Sequence, residues 1–261
     1  MCIRDRDRFR ADVNDKTRLV ILNSPSNPTG GYLPREDIEA IADCVLSTDA
    51  MVLTDEVYKE ITYDIEHFSI ASVEGMRERT ILLDGFSKSY SMTGWRLGYS
   101  VGPQWIIDAM AQLQTNAVSC TASFVQMAGI EALKGPQGEV AAMTNTFRKR
   151  RDLIVGLLNE IEGVSCRSPQ GAFYAFPQLS GFDQSEEEIA SQIVEEIRLG
   201  VGTTRVKAGI IGEIGCSWPL APNERKVLRA SAIAQQETGA AVLIHPGRNP
   251  QAPLQILEIL E

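Results

Sequence analysis

ILLDGFSKSYSMTGWRLGY, residues 81–99, is the stretch that decides the fold. It opens on a short apolar run, the mark of a buried strand, and the run stops at the turn pair Asp84-Gly85. Ser87-Lys88-Ser89-Tyr90 follows at once, then Gly94-Trp95-Arg96 and a second strand-like run over 97–101. Polar, chemistry-bearing residues immediately after a strand suit an open α/β sheet, in which ligands bind beyond the carboxyl ends of the strands.

The same pattern repeats on the N-terminal side. Residues 19–22 form an apolar run that leads into Asn27-Pro28-Thr29-Gly30, and residues 51–53 form another that leads into Asp55-Glu56-Val57-Tyr58. Ile38, Ile41, Val45 and Leu46 between them share one helix face, as do Ile106, Met110 and Leu113 further on. Val140, Met143, Phe147, Ile154, Leu157 and Leu158 predict a long amphipathic helix with Lys149, Arg150 and Arg151 on its wet side. Residues 163–166 and 172–176 read as an antiparallel pair around Ser168-Pro169-Gln170-Gly171. Alternating strands and helices predict an α/β fold with a mostly parallel sheet.

A second stretch starts near Gln184. Ile189, Ile193, Val194 and Ile197 give a helix face, residues 208–211 a strand ending in Gly212-Glu213, 222–238 a helix, and 241–244 a strand ending in His245-Pro246. The apolar pattern Leu254, Ile256, Leu257, Ile259, Leu260 predicts a last helix. This is again βαβ-like.

Composition removes several classes. The 261 residues carry 25 basic and 34 acidic side chains, a net charge of −9, which argues against a nucleic-acid partner or a polybasic membrane surface. No apolar run approaches the roughly 20 residues of a membrane helix. Five scattered cysteines without a Cys-x-x-Cys, and only two histidines, exclude a zinc finger or a disulfide scaffold. With no secretory signal in sight, a cytoplasmic location is the expectation. The first ten residues, MCIRDRDRFR, show no helical or strand period and read as a non-native leader.

The four clusters beside the strands suit one cofactor. A lysine that forms a Schiff base must lose its proton, which burial and a nearby cation both favour. A heteroaromatic electron sink needs its ring nitrogen kept protonated, a task for a carboxylate such as Asp55. Tyr58 and Asn27 suit a ring phenolate oxygen; Ser87 and Arg96 suit a phosphate, the arginine through its fork of donors. Pyridoxal 5′-phosphate has all these handles.

On these motifs, residues 18–178 resemble the large domain of the class I/II aminotransferases, pyridoxal-phosphate enzymes of fold type I with a three-layer architecture. Residues 87–99 match that family's lysine segment, Asn27-Pro28-Thr29-Gly30 and Asp55-Glu56-Val57-Tyr58 match in order and spacing, and Gly171-Ala172-Phe173-Tyr174 resembles its strand entering the small domain. The resemblance implies that Lys88 forms the Schiff base and shuttles the substrate proton, Asp55 holds the pyridine nitrogen, Tyr58 and Asn27 bind the ring oxygen, and Ser87 and Arg96 bind the phosphate. It implies an amino acid and a 2-oxo acid as substrates, and a homodimer. Trp95 and Tyr99 are expected in the core, His67 in a loop without chemistry, and the cysteines as inert packing or surface thiols.

Residues 186–261 resemble a different family, the phosphotriesterase-related amidohydrolases, whose fold is a (β/α)₈ barrel. Residues 209–217 resemble one middle strand and 244–248 the next. The resemblance implies that Glu213 bridges two divalent metals, zinc among them, and that His245 ligates one. Two and a half βα units are too few to close a barrel.

The expected organisation is therefore a leader over 1–10, a pyridoxal-phosphate-binding large domain over 11–183, and a partial barrel segment over 184–261. The chain reads as a truncated chimera joined within 178–192, with low transaminase turnover expected because the family's ring-stacking residue and carboxylate-binding arginine have no counterpart here. A metal-dependent hydrolase and a non-catalytic fragment are the competing readings.

Overall fold

The computed structural model describes residues 6–180 and 184–260. The chain divides into two compact units, Met1–Ser180 and Gly181–Glu261.

In the first unit four strands form one sheet in chain order: β1 (Leu19–Asn23), β2 (Met51–Asp55), β3 (Thr80–Gly85) and β4 (Gly98–Val101). The first three run parallel, with Asn23 opposite Asp55 and Asp55 opposite Leu83. β4 returns antiparallel, with Gly85 opposite Gly98. The strands predicted over 19–22, 51–53, 81–83 and 97–101 are all present, and this sheet is mostly parallel as expected. Helix α2 (Arg35–Leu46) crosses from β1 to β2 and lays Ile38, Ile41, Ala42 and Val45 on Val20, Leu22 and Val52. Those helix positions recur at three- and four-residue spacing, while the strand positions alternate, so each element presents one apolar face to the same core.

The other face of the sheet is uneven. Ile21 is 67% exposed and Val101 58%. Beyond β4 come α4 (Gln104–Val118), α5 (Ser123–Lys134) and α6 (Gly138–Asn159), after the one-turn α3 (Phe86–Ser89) that carries the lysine. α5 has no counterpart among the sequence expectations. α4 and α6 bury no residue fully, and Trp105, Leu113, Phe124 and Met127 stand in solvent.

The leader differs from expectation. Residues 1–5 lie outside the described residues, but α1 (Arg6–Asp12) is a helix: Phe9 packs on the core around α2, and Arg6 pairs with Glu36 at 3.2 Å and with Asp37. The helix is held by these contacts and not by any period of its own. Its polar exterior hides the single apolar anchor from a pattern search.

The predicted antiparallel pair also differs. β5 (Val164–Ser165) pairs with β6 (Gln178–Leu179), not with 172–176. The reason lies in where backbone groups are already committed. Cys166 donates its N–H to Asn159 Oδ1 at 2.7 Å and accepts from Asn159 Nδ2 at 3.0 Å, which ends the strand. Downstream, the N–H groups of Gln170 and Gly171 bond the Gly30 carbonyl and that of Ala172 bonds Ile61, so none is free for β5. Arg151 is not on the wet side of α6 either: its guanidinium lies 4.7 Å from the Tyr63 ring centre and donates to the Pro169 carbonyl.

The second unit runs α7 (Glu186–Arg198), β7 (Ile210–Gly215), α8 (Pro222–Thr238), β8 (Ala241–His245) and α9 (Ala252–Leu260). Ser185 caps α7, exchanging hydrogen bonds with Glu188, and explains why the Ser-Glu-Glu-Glu run starts a helix. β7 and β8 are parallel neighbours joined by α8, a single βαβ turn around Val194, Ile211, Ile214, Leu228 and Ile256. β7 extends past the predicted end, bulging between Ile211 and Ile214 where Gly212 takes φ +103°. Only glycine fits there, since a Cβ would sit 2.3 Å from the Leu243 carbonyl. Residues 181–183, part of the expected junction, lie outside the described residues. No described helix is long and apolar enough to cross a membrane.

Ile41 is 2% exposed at the α2–sheet contact. Ile41→Ala is expected to destabilise the chain by about 2–5 kcal/mol and Ile41→Val by about 0.5–1.5 kcal/mol, read from urea unfolding midpoints.

Candidate functional site

The parallel register aligns the carboxyl ends of β1, β2 and β3 on one edge of the sheet, and the antiparallel β4 starts on the same edge. Asn27 follows β1, Asp55 ends β2 with Tyr58 three residues on, Ser87 and Lys88 sit in α3 directly after β3, and Arg96 precedes β4. All four sequence clusters thus meet along one edge.

Individual contacts refine this. Tyr58 is buried and its hydroxyl is paired with the Tyr174 hydroxyl, and the Asn27 side chain is near enough to act on the phenol. Burial, together with Tyr174 and the nearby Asp55 charge, pushes the Tyr58 phenol well above its usual range. Asp55 accepts the Val57 N–H at 3.2 Å, which holds the carboxylate at the strand end. Lys88 Nζ lies 5.9 Å from the centre of the Phe173 ring and makes no ion pair among the described residues. Arg96 is exposed with φ +52° and donates to the Thr93 carbonyl at 2.9 Å. It shares the edge while its guanidinium turns back on its own turn.

Around these groups stands a wall that the sequence reading left without roles. Phe173 packs against Tyr58, Phe147 and Tyr174, with ring centres 5.4, 5.4 and 5.0 Å away. The segment that carries it is pinned from two sides: Gly171 N donates to the Gly30 carbonyl at 3.1 Å and Tyr63 N to that of Gln170 at 2.9 Å. Gly30 takes φ +65°, and a Cβ there would lie 2.4 Å from Pro169. The aromatic run in Gly171-Ala172-Phe173-Tyr174 was the available signal; sequence alone does not say which strands it lies against.

Two charged clusters brace the edge. Lys59 Nζ lies 2.6 Å from Asp84 Oδ2, Tyr99 donates to the same oxygen at 2.5 Å, and Gly85 N donates to Oδ1 at 2.6 Å. Glu56, 2% exposed, is bonded by His67 at 2.9 Å and by Ser69 at 2.6 Å. Burial pushes the Glu56 carboxyl up, but His67, Ser69 and Thr54 together hold it below its ordinary value. His67 is therefore an anchor between its loop and β2, not an idle loop residue. Trp95, expected in the core, is 46% exposed, in a turn where Thr93, Gly94 and Arg96 are exposed as well. Cys44, Cys120, Cys166 and Cys216 are free thiols; Cys2 lies outside the described residues.

The sequence over residues 4–208 matches the family profile described as aminotransferase class I and II. The chain belongs to the class I and II aminotransferase family. Among its relatives, a protein named putative aminotransferase YugH from Bacillus subtilis is 42% identical over 74% of this chain and 50% of its own length. An aspartate aminotransferase from Pyrococcus abyssi is 40% identical over 78% of this chain and 53% of its own. The solved aromatic aminotransferase of Pyrococcus horikoshii superposes with a TM-score of 0.67 at 42% identity, over 74% of this chain and 52% of that one. The aspartate aminotransferase structure from Rhizobium meliloti gives 0.66 at 35% identity, covering 74% and 51%. The chain spans about half the length of the aminotransferases it matches. The aminotransferase match begins inside the stretch read as a leader and runs past the expected end of the resemblance at 178.

Residues 160–261 also match a profile described as the phosphotriesterase family, overlapping the aminotransferase match. Glu213 Oε1 and His245 Nδ1 do lie 3.0 Å apart, both side chains exposed. Glu213 stands within β7 and not beyond its end, because the strand continues through the bulge. Among the described residues no three His, Cys, Asp or Glu side chains gather as a metal site.

The Lys59–Asp84–Tyr99 cluster predicts an alkaline limit. Burial lowers the Lys59 ammonium, but Asp84 and Tyr99 outweigh it and leave its pKa raised; burial and Asp84 push Tyr99 up to about 12. Both groups hold protons in the folded chain that the unfolded chain releases at lower pH. Their stabilisation is complete below about pH 10 and is lost as pH climbs through the folded-state values. Asp84→Asn is expected to cost about 1–3 kcal/mol at neutral pH. That deficit against the parent should shrink above about pH 10.4, seen in urea melts across the range.

Proposed function

We propose that the first unit binds pyridoxal 5′-phosphate and transfers an amino group between an amino acid and a 2-oxo acid, with Lys88 as the catalytic residue. The observation that carries this reading is the meeting of Asn27, Asp55, Tyr58 and Lys88 on one sheet edge, set by the register of β1, β2 and β3. The donor set fits the cofactor. Asp55 is a carboxylate fixed at a strand end, Asn27 and Tyr58 converge at their polar tips, and Lys88 has no carboxylate partner among the described residues.

Asp55 would keep the pyridine nitrogen protonated. Tyr58 and Asn27 would bind the ring oxygen, and Ser87 and Arg96 the phosphate, the arginine turning away from Thr93 to reach it. When bound, the cofactor supplies an aldehyde and an electron-withdrawing ring. Lys88 Nζ then serves as the base that takes the proton from the amino acid Cα and returns it on the far side of the reaction. The Phe173 ring, 5.9 Å from Lys88 Nζ, would lie beside that amine. The family membership supports the same chemistry, and the apolar faces of α4 and α5 suit assembly into a homodimer.

Addition of pyridoxal phosphate to the full chain should give visible absorbance, and borohydride reduction should fix the label on the peptide bearing Lys88. Loss of the band in Lys88→Ala is expected; a label on any other lysine would overturn the assignment.

For the second unit we infer descent from the phosphotriesterase-related hydrolases, with 11–183 belonging to the aminotransferase and 184–261 to this other parent. The pairing of Glu213 with His245 supports that reading, in which both would face a divalent metal such as zinc. Two ligands fall short of the three or four that hold zinc tightly. Zinc is therefore expected to leave on dialysis, and retention at one ion per chain that Glu213→Gln abolishes would show a complete site.

A further inference from the structure

We propose that Asp84 decides which lysine of the sheet edge can take an aldehyde: it holds Lys59 as a paired ammonium and so leaves Lys88 as the reactive amine. This rests on the reading that Lys88 bonds the aldehyde of pyridoxal phosphate, and it makes Asp84 a residue that sets specificity through another lysine.

Lys59 and Lys88 both belong to this edge. Lys59 follows Tyr58 in the turn after β2, and Lys88 sits in α3 directly after β3. Both are half-buried, so access alone does not separate them. Their partners do. Lys59 Nζ lies 2.6 Å from Asp84 Oδ2 and 3.4 Å from the Tyr99 hydroxyl. Lys88 Nζ has the Phe173 ring at 5.9 Å and no carboxylate partner among the described residues.

Bonding an aldehyde takes a neutral amine. The nitrogen lone pair forms the new bond to carbon, and the two amine hydrogens leave with the carbonyl oxygen as water. An ammonium has no lone pair with which to begin. At Lys59 two effects compete: burial favours loss of the proton, and the Asp84 charge favours keeping it and prevails. Asp84 is placed to do so. Its side chain is only 6% exposed, and the Tyr99 hydroxyl at 2.5 Å and the Gly85 N–H at 2.6 Å hold its two oxygens in position. Lys59 is paired with no other acidic side chain among the described residues. An amide of the same shape at position 84 would remove the charge and leave the burial unopposed. Lys59 would then be a half-buried amine driven to lose its proton, the condition that activates a lysine toward carbonyls. The edge therefore carries a second nucleophile, kept silent by one carboxylate.

The test is labelling of the folded full chain, with the rate at each lysine read from its peptide by mass. Formaldehyde with cyanoborohydride is the first probe, because the hydride reduces the imine carbon to a methyl group and no cofactor site is needed. In the parent, Lys59 is expected to react at least about tenfold more slowly than the exposed Lys16 and Lys149, the effect of one pKa unit on the free amine. In Asp84→Asn it should react faster than both. Unfolding alone brings Lys59 no further than parity with exposed lysines, so parity or a slower rate in Asp84→Asn would overturn the proposal. Asp84→Glu keeps a carboxylate and should keep Lys59 slow; a rate as high as in Asp84→Asn would show a packing effect and overturn it equally. Pyridoxal phosphate with borohydride is the second probe, expected to mark Lys88 alone in the parent and Lys59 as well in Asp84→Asn. A label confined to Lys88 in that variant would overturn the selecting role. Should the parent place no pyridoxal phosphate on Lys88, the proposed function falls, while the formaldehyde rates still decide whether Asp84 silences Lys59.

Discussion

The site depends on a single constraint, the in-register parallel pairing of β1, β2 and β3. With Asn23 opposite Asp55 and Asp55 opposite Leu83, three separate stretches of sequence end within one edge. A slip of one residue would turn Asp55 to the other face of the sheet and put buried Thr54 or Glu56 in its place. The register is enforced from the core side. Val20, Leu22 and Val52 alternate into the contact with α2, and a shifted strand would put Ile21 or Leu53 into space shaped for its neighbour. Burial on one face thereby fixes polar groups at the ends, several residues from the core that decides them.

Charge reinforces that frame at its ends. Glu56 and Asp84 are the residues next to, or one turn away from, the groups assigned to the cofactor, and neither points at it. Glu56 turns down to His67 and Ser69, and Asp84 sideways to Lys59 and Tyr99. A buried carboxylate is costly unless hydrogen-bonded, so each acts as a hub that commits several neighbours at once. The result is that β2 is fastened to the loop at 66–69, and β3 to both β4 and the turn after β2. Asp55 is left as the carboxylate at the edge with no basic side chain paired to it among the described residues, which suits it to a cationic ring nitrogen.

The strands, the crossover helix and the lysine segment were legible because each carries a local signal: alternation in β1 and β2, three- and four-residue spacing in α2, and a dense motif at 87–99. Helix α8 was legible for the same reason, with Pro222 at its first turn and Gly239 in the left-handed region after its end. What escaped was non-local. α1 is fixed by Phe9 and Arg6 against a helix about 30 residues away, and no window on residues 1–10 contains that partner. The pairing of β5 with β6 turned on backbone groups of 170–172 already taken by Gly30 and Ile61, a competition invisible in hydrophobic pattern. Its neighbours Lys149 and Arg150 suggest a solvated Arg151, yet helical rotation carries it onto Tyr63. Of the site, the residues proposed to hold the cofactor are readable from motifs, and the residues behind them are not, because support is given by whatever lies nearest in space.

The overlap of two family matches over 160–208 acquires a physical sense from these contacts. Within that range, Gln170, Gly171 and Ala172 are tied by main-chain bonds to Gly30, Ile61 and Tyr63, so their conformation is dictated by the frame of the first unit. From Ser185 onward the helix is started by its own capping box and buries Ala190 and Val194 within the second unit. A profile scores residue types, and an amphipathic helix opened by Ser-Glu-Glu-Glu satisfies many families equally. The hydrogen bonds are more selective than that. They tie 170–172 to the sheet of the first unit, next to the Phe173 ring that lies beside Lys88, and they leave the stretch after Ser185 to fold on determinants found inside its own unit.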